Sequence, residues 1–249
     1  MKLENKIAVV TGAASGIGRG IALRLAQDGC KVVVMDVNME KAASVVDEIQ
    51  AMGRQAEAVK ADVTRSQEAN QMVRTVLEKF EGLDILVNNA GGHARERQSM
   101  FYDSTEEVWD HVIGINLKGT MICCRAVIEH MMEKKNGKIV NISSMAGVTG
   151  SHLGVADYAA AKGGVIGFTK ALAKEVGPYG INVNSIAPGI IATERVLAAP
   201  EETKEQWRKS SFLNRLGEPE DIAATVSFLV SEDASFISGQ NILVCGARP

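Results

Sequence analysis

Seven short apolar runs alternate with helix-period segments along this chain, and that alternation narrows the possible folds more than any single motif does. The runs are IAVV (7–10), KVVVMD (31–36), AEAVKAD (56–62), DILVN (84–88), KIVNIS (138–143), INVNSIA (181–187) and NILV (241–244). Several are β-branched on both parities, as strands buried on both faces of a parallel sheet are. Between them, apolar residues recur at helical spacing. Ala42, Val45, Val46 and Ile49 form one stripe, and Val73, Val76, Leu77 and Phe80 a second. Met121, Cys124, Ile128 and Met131 form a third, and Ile222, Val226 and Leu229 a fourth. Strand–helix alternation repeated this often predicts a doubly wound α/β fold, a seven-stranded parallel sheet with helices on both faces. No linker, repeat or low-complexity segment divides the 249 residues, so one domain is expected over 1–249. The least regular stretch, 189–218, is expected to be a mobile lid on the substrate side.

Composition excludes several classes of function. The net charge of −3, with lysine and arginine scattered, leaves no basic surface for nucleic acid. The start, MKLENKIAVVTG, is no signal peptide, and no run of about 18 apolar residues suggests a membrane span. A cytoplasmic protein is expected. Cys30, Cys123, Cys124 and Cys245 form no CxxC pair and read as reduced thiols. His93, His111, His130 and His152 do not cluster with them, so no metal is expected.

VVTGAASGIGRG (9–20) follows the first strand and opens a helix. Gly12, Gly16 and Gly18 allow a sharp turn and the approach of a pyrophosphate to the helix N-terminus, where N–H groups and the dipole favour an anion. Alone, the turn is also compatible with plain tight packing. Asp36, at the end of the second strand, is placed to reach ribose hydroxyls and would repel a 2′-phosphate. Ser15 and Val37 supply no positive charge to hold such a phosphate, which points to NAD rather than NADP. Asp62 and Val63 are candidates for the adenine edge.

DYAAAKGG (157–164) sets Tyr158 one helical turn before Lys162. Alone, this is an ordinary surface pair. With Ser144 at the exit of a strand and Asn116 inside an apolar stripe, it becomes a candidate reaction centre. A phenol ordinarily titrates near 10. A neighbouring ammonium and the positive nicotinamide ring both favour the phenolate, so Lys162 is expected to help lower Tyr158 toward working pH.

TGAASGIG, NNAG (88–91), NISS (141–144), YAAAK (158–162) and IAPG (186–189) occur in that order. Together they resemble the short-chain dehydrogenase/reductase family, over about Asn5 to Gly246, and the 3-oxoacyl-carrier-protein reductases within it. The resemblance implies a Rossmann fold and hydride transfer at a secondary alcohol or ketone. Tyr158 is then the general acid/base, and Ser144 bonds the reacting oxygen. Lys162 also binds the nicotinamide ribose, and Asn116 holds a water that links Lys162 to solvent. Asn89, Ala90 and Gly91 pass beside the adenosine ribose. Pro188, Gly189 and Thr193 contact the nicotinamide, and Ile17 and Ile191 complete the coenzyme set. A homotetramer is implied, for which the stripe Val165, Phe168, Leu172 and Val176 suits one interface. The chain departs from the family pattern at LVCGARP, where Cys245 replaces an acid.

The substrate is less legible. Those reductases meet their carrier protein through two basic positions, here Lys135 and Tyr179, so only one charge is kept. They also usually prefer NADPH, against Asp36. Both points favour NAD-linked turnover of a small polyol, sugar or hydroxy acid, with 3-oxoacyl-carrier-protein reduction as the alternative. A silent nucleotide-binding regulator is a further alternative, against which the complete Asn116–Ser144–Tyr158–Lys162 set speaks. His93, Arg95, His152 and Arg195 are candidates to line the substrate pocket with Ser144, and with Arg97 they offer charge for an anionic group; the alternative is that GHARERQ is simply a solvated loop.

Overall fold

The structure is a computed structural model that describes residues 3–92, 99–150 and 154–247. All seven expected strands form. They are β1 (Ile7–Thr11), β2 (Lys31–Asp36), β3 (Ala56–Lys60), β4 (Ile85–Asn88), β5 (Gly137–Ile142), β6 (Ile181–Pro188) and β7 (Asn241–Val244). They make one sheet in the order β3-β2-β1-β4-β5-β6-β7, with every neighbouring pair parallel. The chain winds outward from β1 to β3 and then returns to β4 beside β1. That reversal opens a crevice at the carboxyl ends of β1 and β4, the place where sheets of this topology bind ligands.

The two-parity pattern of the strands has a direct consequence. Ala8, Val10, Val32 and Val34 point to one face and Val9, Val33, Met35 and Leu86 to the other, and all are buried. The first face is covered by α1 (Gly16–Gln27), α2 (Met39–Ala51) and α10 (Pro219–Leu229), through Ile21, Leu25, Val45, Ile49, Ile222 and Val226. The second is covered by α3 (Ser66–Phe80), α5 (Gly119–Lys134) and α7 (Ala156–Val176), through Met72, Val76, Val127, Met131 and Leu172. Truncating one such core side chain to alanine costs about 2–5 kcal/mol.

Two expectations need correction here. Met121 is exposed, and the buried stripe of α5 is instead Thr120, Cys123, Cys124, Val127 and Met131. The reason is that, at 100° per residue, Met121 lies about 100° round α5 from the centre of that buried face; α4 (Glu106–Ile113) runs into α5 through a π-helical turn at Gly114–Lys118. The continuous rod Glu106–Lys134 is long and apolar enough, by length and composition, to cross a membrane. Its buried side chains pack on the sheet, so here it is a core helix. On α7, Val165, Leu172 and Val176 are buried within their own protomer, with Phe168 packed against the same core. Leu172 and Val176 pack on the sheet, and Phe168 stays partly exposed beside them.

Candidate active site

The glycine turn is shaped by close approaches. Gly12 and Gly16 have φ of +61° and +54°, a region in which other residues are strained. A Cβ on Gly12 would lie 2.8 Å from the Ala90 Cα. The N–H groups of Asn89 and Ala90 both donate to Thr11 Oγ1 at 3.0 Å, and Asn89 Nδ2 donates to the carbonyls of Thr11 and Gly12 at 3.0 and 2.9 Å. NNAG therefore fastens the end of β4 to the turn after β1. Ser15, at the N-cap of α1, makes no side-chain capping bond, so the first-turn N–H groups are left to an anion. Gly18 does not line the cleft. A Cβ there would meet the Gly12 carbonyl oxygen at 2.2 Å, so this glycine serves the packing of helix on turn.

Asp36 is held from both sides. Its Oδ2 accepts from the Ala14 N–H at 3.1 Å, and its Oδ1 from the Asn38 N–H at 2.9 Å. Asp62 lies just past β3, where Oδ1 accepts from the Thr64 N–H and hydroxyl at 2.9 and 2.8 Å. Both carboxylates, with Val63, line a cleft of about 800 Å³ that runs to Ser144, Tyr158 and Lys162. Every coenzyme residue expected from the sequence lines this cleft except Gly18.

At the inner end, Ser144 follows β5 while Tyr158 and Lys162 lie on α7. The Tyr158 and Ser144 side chains are hydrogen-bonded. Lys162 is buried; its Nζ donates to the Ile142 carbonyl at 2.8 Å and sits 5.8 Å from the centre of the Tyr158 ring. Burial lowers its pKa from 10.5 to about 8. The expected tuning of the phenol by Lys162 is not what the structure shows. Burial raises the Tyr158 pKa, and the forces opposing it are the Ser144 bond and the charge of Arg195.

Asn116 is buried in the π-helical turn and does not line the cleft. Its Oδ1 accepts from the Gly92 N–H at 3.0 Å, and its Nδ2 donates to the carbonyls of Gly92 and Val112 at 2.7 and 2.8 Å. The polar core spot expected at this residue is thus a clamp on the loop after NNAG.

Arg195 lines the cleft from α8 (Glu194–Leu197). His93, Arg95, Arg97 and His152 lie outside the described residues. Trp207, on α9 (Glu201–Lys209), also lines the cleft and was not anticipated. Its only sequence signal is an aromatic residue in a charged helix. Among the described residues, no group of three or more His, Cys, Asp or Glu could hold a metal. Cys30, Cys123 and Cys124 are buried and unbridged, and burial pushes Cys30 and Cys123 up to about 12, which makes them inert at neutral pH.

The glycine turn with its open helix N-terminus, the fixed acid after β2 and the Ser–Tyr–Lys group at the far end of one cleft suit a dinucleotide stretched between them. These features define an oxidoreductase that uses a nicotinamide dinucleotide.

A family model described as Enoyl-(Acyl carrier protein) reductase matches residues 12–246. The BbsD subunit of a (2S)-[(R)-hydroxy(phenyl)methyl]succinyl-CoA dehydrogenase from Thauera aromatica is 42% identical over 100% of this chain and 98% of its own. A 3-oxoacyl-acyl-carrier-protein reductase from Staphylococcus epidermidis is 42% identical over 97% of this chain and 98% of its own. A reductase of the same name from Thermotoga maritima is 39% identical over 99% and 98%. The chain belongs to the short-chain dehydrogenase/reductase family, and within it is similar to the 3-oxoacyl-carrier-protein reductases.

Proposed function

We propose that this protein is an NAD-linked dehydrogenase/reductase acting on the secondary alcohol or ketone of an acyl thioester. The observation that carries the reading is the single cleft joining Asp36 at one end to Ser144, Tyr158 and Lys162 at the other. Asp36, anchored by two backbone N–H groups, presents a carboxylate where a 2′-phosphate would stand, which supports NAD. The names of the relatives favour a thioester over the polyol or sugar expected from the sequence. Lys135 is exposed, and its carbonyl oxygen lies 2.6 Å from where a Cβ on Gly180 would stand, next to the uncharged Tyr179. Keeping one charge of two supports a coenzyme A thioester over a carrier-protein one.

When bound, the nicotinamide would supply or accept the hydride at the substrate carbon. The rest is the work of this chain. Ser144 orients the substrate oxygen by hydrogen bond, and Tyr158 gives or takes the proton at its phenolic oxygen. Lys162 holds the coenzyme ribose beside them, and Asn116 keeps the Gly92 loop in place and passes solvent protons inward through a water. The segment 189–218 closes as a lid. A cytoplasmic homotetramer belongs to the same proposal and is checked by light scattering.

The test is coenzyme titration by fluorescence, followed by turnover of 3-hydroxyacyl-coenzyme A and of polyols read by nicotinamide absorbance. Tyr158→Phe should lose turnover by several orders of magnitude with NAD affinity nearly kept. Turnover of polyols alone would overturn the thioester reading, and full activity in Tyr158→Phe would remove the proposed acid.

A further inference from the structure

A second cavity, of about 300 Å³, lies behind the reaction cleft. Gly189, Ile190, Ile191 and Trp207 line both spaces, so they form the partition between them. The floor of the second space is the end of the last strand, Leu243 to Gly246. Its other walls are tied by backbone hydrogen bonds. The Gly189 N–H donates to the Val244 carbonyl at 2.9 Å, and the Gly217 N–H to the Ile190 carbonyl at 3.0 Å. The Phe212 N–H donates to the Gly246 carbonyl, also at 3.0 Å. A Cβ on Gly189 would stand 2.9 Å from the Cys245 Cα, so that wall cannot be thickened without moving β7. The part of the partition that can move is the Trp207 side chain, half-buried on the lid helix.

The lining is mixed, but its polar groups are bonded among themselves, which leaves the hydrocarbon to meet a guest. Ile190, Ile191, Leu213, Leu243 and Val244 supply that hydrocarbon. The Ser210 hydroxyl donates to the Trp207 carbonyl at 2.7 Å and the Ser211 hydroxyl to the Gly246 carbonyl at 3.1 Å. The charged pair at the rim, Arg215 and Asp221, is bonded to itself at 2.6 and 2.9 Å and so offers no unbalanced charge to a ligand. The volume is at the lower end of the range of about 300–1,000 Å³ for small-ligand pockets, enough for part of a ligand and not for a whole one. A guest that is anchored elsewhere and has one apolar end meets both conditions.

We infer that this chamber receives the apolar acyl end of the substrate while the reacting oxygen sits at Ser144 and Tyr158, and that Trp207 is the gate between the two spaces. The inference rests on the thioester reading given above and adds a determinant of chain length to it. Burying each methylene contributes about 0.8 kcal/mol, so affinity should climb steeply with chain length until the chamber is full.

The chain has two tryptophans, Trp109 and Trp207, which permits a direct test. In a Trp109→Phe background Trp207 is the sole reporter. Octanoyl-coenzyme A should change its fluorescence saturably, and acetyl-coenzyme A should not. Cys245→Phe, which fills the floor, should weaken octanoyl-coenzyme A about tenfold or more and leave kcat/KM for a 3-hydroxybutyryl thioester within about twofold. Should Cys245→Phe fail to fold by circular dichroism, Leu213→Trp fills the opposite wall and carries the same expectation. Equal fluorescence changes with both thioesters would overturn the chamber, as would a chain-length profile that neither filling variant moves. The two readings fail separately. A Trp207 response to octanoyl-coenzyme A without turnover of any thioester keeps the chamber and sinks the assigned reaction. Turnover indifferent to chain length does the reverse.

Discussion

Replacing Lys162 with methionine should make the coenzyme-free protein more stable at neutral pH while abolishing its activity. The reasoning starts from burial. Lys162 has a relative exposure of 3%, and its pKa falls from 10.5 to about 8 on folding. At about 1.4 kcal/mol per pH unit, that fall corresponds to roughly 3 kcal/mol of penalty for holding the charged form inside. The sign follows from proton linkage. Below the folded pKa, both the folded and unfolded chains carry the proton, and the penalty is present in full. Between about 8 and 10.5 the unfolded chain keeps a proton that the folded chain has released, so this residue makes stability rise with pH; above both values the penalty is gone. Methionine has similar length and no charge, and it forgoes the hydrogen bond to the Ile142 carbonyl, worth about 1 kcal/mol. Lys162→Met should therefore gain about 2 kcal/mol near pH 7, or about 4–8 °C in Tm for a chain of this size, break about even near pH 10, and lose about 1 kcal/mol only above about pH 11. Urea unfolding of both proteins across that range reads the crossing directly. A variant less stable than wild type at neutral pH, or a gap that does not change with pH, would refute the claim that desolvation dominates at this site.

Other consequences can be measured independently. Asp36→Ser should narrow the preference for NAD over NADP by about tenfold or more, equivalent to about 1.4 kcal/mol, as read from the two dissociation constants. Gly18→Ala forces a Cβ onto the Gly12 carbonyl, so it should destabilise by about 1–3 kcal/mol in urea and weaken coenzyme binding together. Arg195→Gln removes a charge that favours the Tyr158 phenolate, and the acidic limb of the pH profile for alcohol oxidation, where the phenolate is lost to protonation, should move upward. It should also raise KM if the substrate carries an anionic group near α8, and an unchanged KM with a shifted limb would confine Arg195 to the phenol.

Much of the fold was legible because its signals are local. Val9 and Val10 are neighbours in sequence and point to opposite faces, so apolar character on both parities already specifies a sheet covered twice. The same holds for Gly12 and Gly16, whose positive φ is a property of the chain itself. Met121 was misplaced because several apolar sets on α5 share helical spacing, and only packing shows that the face centred on Thr120, Cys124, Val127 and Met131 meets the sheet. The α7 stripe was correctly apolar, but periodicity says which residues share a face and not what the face meets, and within the protomer Leu172 and Val176 meet the sheet.

The sequence by itself determined the order of strands and helices, the glycine turn, the acid after β2 and the one-turn spacing of Tyr158 and Lys162. Each of these depends on residues within a few positions of one another. Tertiary structure alone decided that Lys162 reaches the carbonyl of Ile142, that Asn116 clamps Gly92, that burial outweighs the tuning of Tyr158, and that Trp207 divides two cavities. Those outcomes depend on how much water packing removes and on partners 20 or more residues away, and neither quantity is written in local spacing.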